Sequence, residues 1–76
     1  MGLYYFHMIS PSLTVEDTEG EVLGNDIVAM EVAQRAASRL AQEYGGQDGA
    51  VVRIVNERGQ IIADVLLNAY ASRHRL

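Results

Sequence analysis

One stretch of helical period, Asp26 to Tyr44, lies between two stretches whose apolar residues alternate, and that order constrains the fold more than any single motif. Within it Met30, Ala33, Ala37, Leu40, Ala41 and Tyr44 fall on one stripe, with Ala29 and Ala36 at its edge. A stripe made mostly of alanine lets a helix lie close against a flat neighbour. Asn25 or Asp26 is placed to cap its start, and Gly45-Gly46 to end it in a left-handed turn. Glu31 and Arg35 are spaced for a weak helical ion pair.

The flanking stretches read as strands. Leu3 to Ile9 alternates between Tyr4, Phe6, Met8 and Leu3, Tyr5, His7, Ile9. Ser10-Pro11-Ser12 breaks it and Leu13 to Val15 resumes, so a hairpin joins the two. Ala50 to Val55 and Gln60 to Ala69 form the second pair. Val52 and Ile54 face one way, while Val51 and Val55 face the other with Arg53 between them. In the last strand Ile61, Ala63, Val65 and Leu67 make one face, and Ile62 and Leu66 the opposite one with Asp64 and Asn68. The expected fold is α+β, in the order ββαββ: one antiparallel sheet with a single helix packed on one face. It forms one domain over 1–76, with 71–76 as a tail. An extra strand at Glu21 to Leu23 would make the first half a three-stranded meander.

The acidic stretch from Val15 to Leu23 raises the question of a metal loop. It matches Ile54 to Ile62 position by position: apolar, any, Asp or Asn, two polar residues, Gly, polar, two aliphatics. Asp or Asn followed three residues later by Gly is the pattern of a type I turn with a glycine bulge. Arg58 stands in the second copy where Glu19 stands in the first, so the pattern survives a charge reversal. A calcium loop aligned on Gly20 would put Val15 where its first aspartate belongs and the short Asp26 in place of a bidentate glutamate. Both stretches are therefore expected to be turns, and no metal site is assigned.

Other chemistry finds little support. The chain has 76 residues, no cysteine and a net charge of −4, so it has neither disulfides nor a thiolate site. An acidic chain without lysine lacks the phosphate contacts that carry nucleic-acid affinity, which weighs against Tyr4, Tyr5 and Phe6 as a base-stacking platform. His7 has no second histidine nearby and reads as a half-buried structural residue rather than a general base. The serines sit in no nucleophile elbow, and Gly45 to Gly49 lacks the lysine of a phosphate loop. No apolar run approaches the roughly 20 residues of a membrane span, and the N-terminus lacks a leader pattern, so a cytoplasmic protein is expected. No catalytic residue and no cofactor are assigned.

These motifs together resemble a family of short uncharacterised bacterial proteins grouped as a domain of unknown function. The likeness runs through the Tyr5-Phe6-His7 opening strand, the acidic Asp17 to Gly20 turn followed by Val22-Leu23, and the helix with Ala29, Ala33, Ala36 and Ala37. It closes with Asn56 to Gly59 and the aliphatics after it. It spans Tyr4 to Leu67 and departs at Gly24-Asn25-Asp26, where the family usually shows a proline before the aspartate. The resemblance implies no active site. A looser likeness, in element order alone, is to antitoxins that neutralise small RNA-cleaving toxins.

A strand with apolar residues on both faces is usually covered on both, and one helix covers only one. The leftover surface points to a small non-enzymatic binding or regulatory protein that forms a homodimer. Val51, Val55, Ile62, Leu66 and Tyr70 are its candidate interface. The alternative is an antitoxin-like partner whose Glu16, Asp17, Glu19 and Glu21 face a small basic protein.

Overall fold

The computed structural model describes residues 1–44 and 49–67. The chain runs β1 (Gly2–Ile9), β2 (Thr14–Val15), β3 (Glu21–Leu23), α1 (Asp26–Tyr44), β4 (Val51–Asn56) and β5 (Ile61–Leu66). It is α+β, with one antiparallel five-stranded sheet and α1 packed against it, as expected. Among the described residues no helix is long and apolar enough to cross a membrane.

β1 lies inside the sheet, paired with β4 on one side and with β2 and β3 on the other, while β5 pairs the far side of β4. Ser10 and Leu13 exchange backbone hydrogen bonds to close the expected β1–β2 hairpin. Asn25 is the helix cap: its side-chain Oδ1 accepts the Val28 N–H at 2.9 Å. The Tyr4 hydroxyl donates to Asp26 Oδ1 at 2.6 Å and ties β1 to the first turn of α1. That bond to an anion, together with burial, raises the Tyr4 pKa. Glu31 and Arg35 make no ion pair.

The core is the layer between α1 and the sheet. Ala29, Ala33, Ala37 and Ala41 recur every fourth residue along the buried side of α1 and are nearly or wholly excluded from solvent. Tyr4, Met8, Val52, Ile54 and Leu67 meet them from the sheet side. Small residues on the helix thus let larger ones on the strands fill the layer.

Three expectations need correction. The strand at Glu21–Leu23 forms, but it pairs with β1 rather than with β2, so there is no meander. The acidic stretch is consequently not a hairpin turn. β2 and β3 are two pieces of one strand along the edge of β1, and five residues, 16–20, span a gap opposite only Tyr5, Phe6 and His7. The two extra residues are pushed out as a loop.

The third correction concerns β5. Ile54 pairs with Ala63 but Val55 pairs with Ile61, which leaves Ile62 as the extra residue of a bulge. The bulge reverses the alternation at the start of the strand. Ile62 packs partly against the core, and Ile61 turns outward with more than half its surface exposed. Tyr70, the tail 71–76 and the helix stop at Gly45-Gly46 lie outside the described residues.

The β4–β5 connection is the turn its sequence predicts. Gly59 N–H donates to the Asn56 carbonyl at 2.9 Å, Asn56 N–H donates to the Gln60 carbonyl at 2.9 Å, and Gly59 has a φ of +82°. Gly20 has nearly the same φ, +74°, in a crowded place. A Cβ there would lie 2.9 Å from Leu3 Cδ1 and 3.0 Å from the Tyr4 carbonyl oxygen, whereas at Gly59 it would meet nothing within 4 Å. Gly59→Ala should therefore cost about 1 kcal/mol from backbone strain alone. Gly20→Ala should cost about 2–3 kcal/mol, because steric overlap adds to that strain. Urea melts of the two variants check the difference, and equal midpoints would contradict the placement of the loop against β1.

Candidate functional site: the open face of the sheet

Two candidate features emerge, the loop at 16–20 and the sheet face turned away from α1. The loop is held by Asp17. Its Oδ2 accepts the Phe6 N–H at 3.1 Å, and its Oδ1 accepts the N–H groups of Glu19 and Gly20 at 3.1 and 3.0 Å. The carboxylate thus receives a β1 donor at the point where the edge strand is interrupted. The Asp17 N–H in turn donates to His7 Nδ1 at 3.1 Å. Partial burial pushes the Asp17 carboxyl up. The three backbone donors, with His7 contributing, outweigh that and bring it below the usual carboxylate range.

Asp17 is thus a backbone anchor, and His7 accepts a backbone hydrogen bond, which fits the structural role expected for it. Among the described residues no three His, Cys, Asp or Glu side chains gather as metal ligands. Asn56 does in the second copy part of what Asp17 does in the first, its Oδ1 accepting the N–H groups of Arg58 and Gln60. The shared local pattern is real. What differs is the pairing of its flanks, with each other in one case and both with β1 in the other.

The open face is built by register. Across β1, β4 and β5 the residues turned away from α1 form three rows: Ile9, Val51 and Leu66; His7, Arg53 and Asp64; Tyr5, Val55 and Ile61. Leu3 and its β3 partner Val22 extend the same face. The outer rows are apolar and the middle row is polar. None of these apolar residues belongs to the core layer, and Leu66, Ile61 and Val22 are each more than half exposed.

In the middle row Arg53 and Asp64 form a two-pronged ion pair, with Nε to Oδ1 at 2.9 Å and Nη2 to Oδ2 at 3.0 Å. Arg53 beside it holds the Asp64 carboxyl below its ordinary range, and Asp64 raises the guanidinium pKa in return. The Tyr5 and His7 rings stack nearly parallel, with centroids 6.2 Å apart and planes 8° from one another.

Of the candidate interface residues, Val51, Val55 and Leu66 share this face. Ile62 does not, because the bulge turns it toward the core, and its place is taken by Ile61. A run of two isoleucines hides which of them points outward. Tyr4 and Phe6 pack into the core, so the three consecutive aromatics of β1 do not make a common platform. A small apolar notch of about 210 Å³ lies between Leu40 and β2, lined also by Phe6, Met8 and Asp17. It is smaller than the roughly 300–1,000 Å³ typical of small-molecule sites.

A family model described as a domain of unknown function, DUF6894, matches residues 3–68. The chain belongs to the DUF6894 family. Among the described residues the match takes in the helix and all of the strands but Gly2 at the start of β1. No curated protein and no solved structure matches the chain.

Proposed function

We propose that this DUF6894 protein is a small non-enzymatic binding or regulatory protein that associates with a second copy of itself through the open sheet face. The observation that carries this reading is the pair of apolar rows left outside the core layer on that face. Burial of such rows is the main driving force for association.

Charge supports a second copy as the occupant. The chain carries ten acids and six arginines, yet the three rows hold one of each, Arg53 and Asp64, bonded to one another. Two acidic molecules can meet on this face without strong repulsion. A non-enzymatic role is supported by how the ionisable groups nearest the face are used. Asp17 and His7 hold backbone N–H groups, and Arg53 and Asp64 hold each other.

The test is solution mass by light scattering behind size exclusion, over a dilution series from several hundred micromolar down. A mass approaching twice the 8.4 kDa chain, falling on dilution, is expected. Leu66→Glu, at a site where the side chain is exposed in the single chain, should keep the mass at one chain throughout. A wild-type mass of one chain at the highest concentration would overturn self-association and leave the face to a different protein.

A further inference from the structure

We propose that the two copies meet face to face across a two-fold axis running along the strands between β4 and β5, so that Arg53 of each copy faces the partner's Asp64. This rests on the self-association reading above and specifies its geometry.

The argument comes from register. A two-fold axis lying in the interface, parallel to the strands and midway between β4 and β5, places each residue of β4 over its own cross-strand neighbour in the other copy. Those neighbours are matched in kind. Val51 pairs with Leu66, Arg53 with Asp64, and Val55 with Ile61. On these two strands each apolar side chain therefore meets an apolar one, and each charge meets its opposite. The ion pair within each chain becomes a square of two cations and two anions.

Other axes do worse. An axis along β4 itself stacks Arg53 on Arg53, and an in-plane axis across the strands through the middle row does the same while stacking Asp64 on Asp64. An axis between β1 and β4 sets His7 over Arg53 and leaves Asp64 without a cation opposite it. Charge thus selects one arrangement among those the apolar rows would tolerate. Aligned sheets pack about 30° apart, which over strand positions two residues from the centre displaces facing side chains by only ~3 Å. Only β4 and β5 of each copy overlap, over about six residues, and the β1 row of Tyr5, His7 and Ile9 overhangs, so the buried area falls in the small class of weak, reversible interfaces.

The experiment is charge-swap complementation, read by sedimentation or light scattering at fixed total concentration. Arg53→Asp alone brings four carboxylates together in a pair, and Asp64→Arg alone brings four guanidinium groups. Each variant should dissociate at least ~10-fold more readily than wild type. An equal mixture of the two should regain the wild-type affinity to within a few-fold, since every facing pair is again opposite in charge. Thermal melts confirm that each variant is folded before it is weighed. A wild-type mixture of differently isotope-labelled chains supplies a second readout, inter-chain methyl contacts between Val51 and Leu66, which stands alone should either variant fail to fold.

Loss in the singles with rescue in the mixture, together with the Val51–Leu66 contact between isotope-labelled chains, which stacking of Arg53 on Arg53 would not give, supports the geometry. A dimeric wild type whose single variants stay dimeric, whose mixture is not rescued or which lacks that contact overturns the geometry and leaves self-association standing. A monomeric wild type overturns both.

Discussion

Asp17→Ala is expected to lower the unfolding free energy by about 3 kcal/mol and the melting temperature by ~15 °C, a loss out of proportion to one surface-loop residue. Three backbone N–H groups, those of Phe6, Glu19 and Gly20, converge on this carboxylate. Truncation leaves the Phe6 donor facing the gap between β2 and β3 with no acceptor. It also frees the loop whose Asp17 N–H is held by His7. Asp17→Asn keeps one acceptor oxygen but sets an NH2 group against the donor at the other, and should cost about 2 kcal/mol near neutral pH.

The pair separates further in acid. The folded Asp17 carboxyl titrates below its ordinary value of 3.8. Between the two values the unfolded chain therefore binds more protons than the folded one. Its stabilisation is whole above the ordinary value and is lost as pH falls through the lowered one. Asp64, lowered by Arg53, adds in the same direction. Chemical melts from pH 6 down to pH 2 should show a falling stability limb below about pH 4, shallower in Asp17→Asn than in wild type. Equal limbs would mean that Asp17 does not hold the loop.

Ile54→Ala should be the most damaging single truncation, at about 3–4 kcal/mol. Ile54 has no solvent exposure and lies in β4 between Phe6 and Ala63. The helix above it presents alanines, which have no longer rotamers to lean into a cavity, so the space left behind stays largely open. A domain of this size holds roughly 4–11 kcal/mol in all, and the variant would be partly unfolded at body temperature if near the lower end. Ile61→Ala, one turn away but outward, should cost under ~0.5 kcal/mol when measured in dilute solution. Circular-dichroism melts of the two variants decide the matter. Similar losses would contradict the bulge that turns Ile61 out and Ile62 in.

The elements that were legible in the sequence are those specified locally. The alanine stripe of α1 has one way to bury itself, and Asn56 to Gly59 makes its turn from its own backbone and side chain. The parity of β4 follows from clean alternation, so Val51 and Val55 fall where they were expected. What was not legible depended on choices between partners. Asp17-Thr18-Glu19-Gly20 has the same local chemistry as Asn56 to Gly59, and only the competition of β1 for both flanks decides that it becomes a loop on a broken edge strand. The adjacent isoleucines Ile61 and Ile62 satisfy either parity, and the bulge that turns Ile62 inward is a property of the β4–β5 ladder.

The interruption at 16–20 also governs what the sheet refuses to do. An intact strand at that border would offer a row of free donors and acceptors on which a further chain could add, then another, without limit. Here the border is split, looped outward and lined by Glu16, Glu19 and Glu21, all exposed. A newcomer finds no continuous ladder and meets like charge. Growth by strand addition is therefore barred on one side of the molecule, so strand-to-strand joining has to end at a pair rather than run on into a fibre.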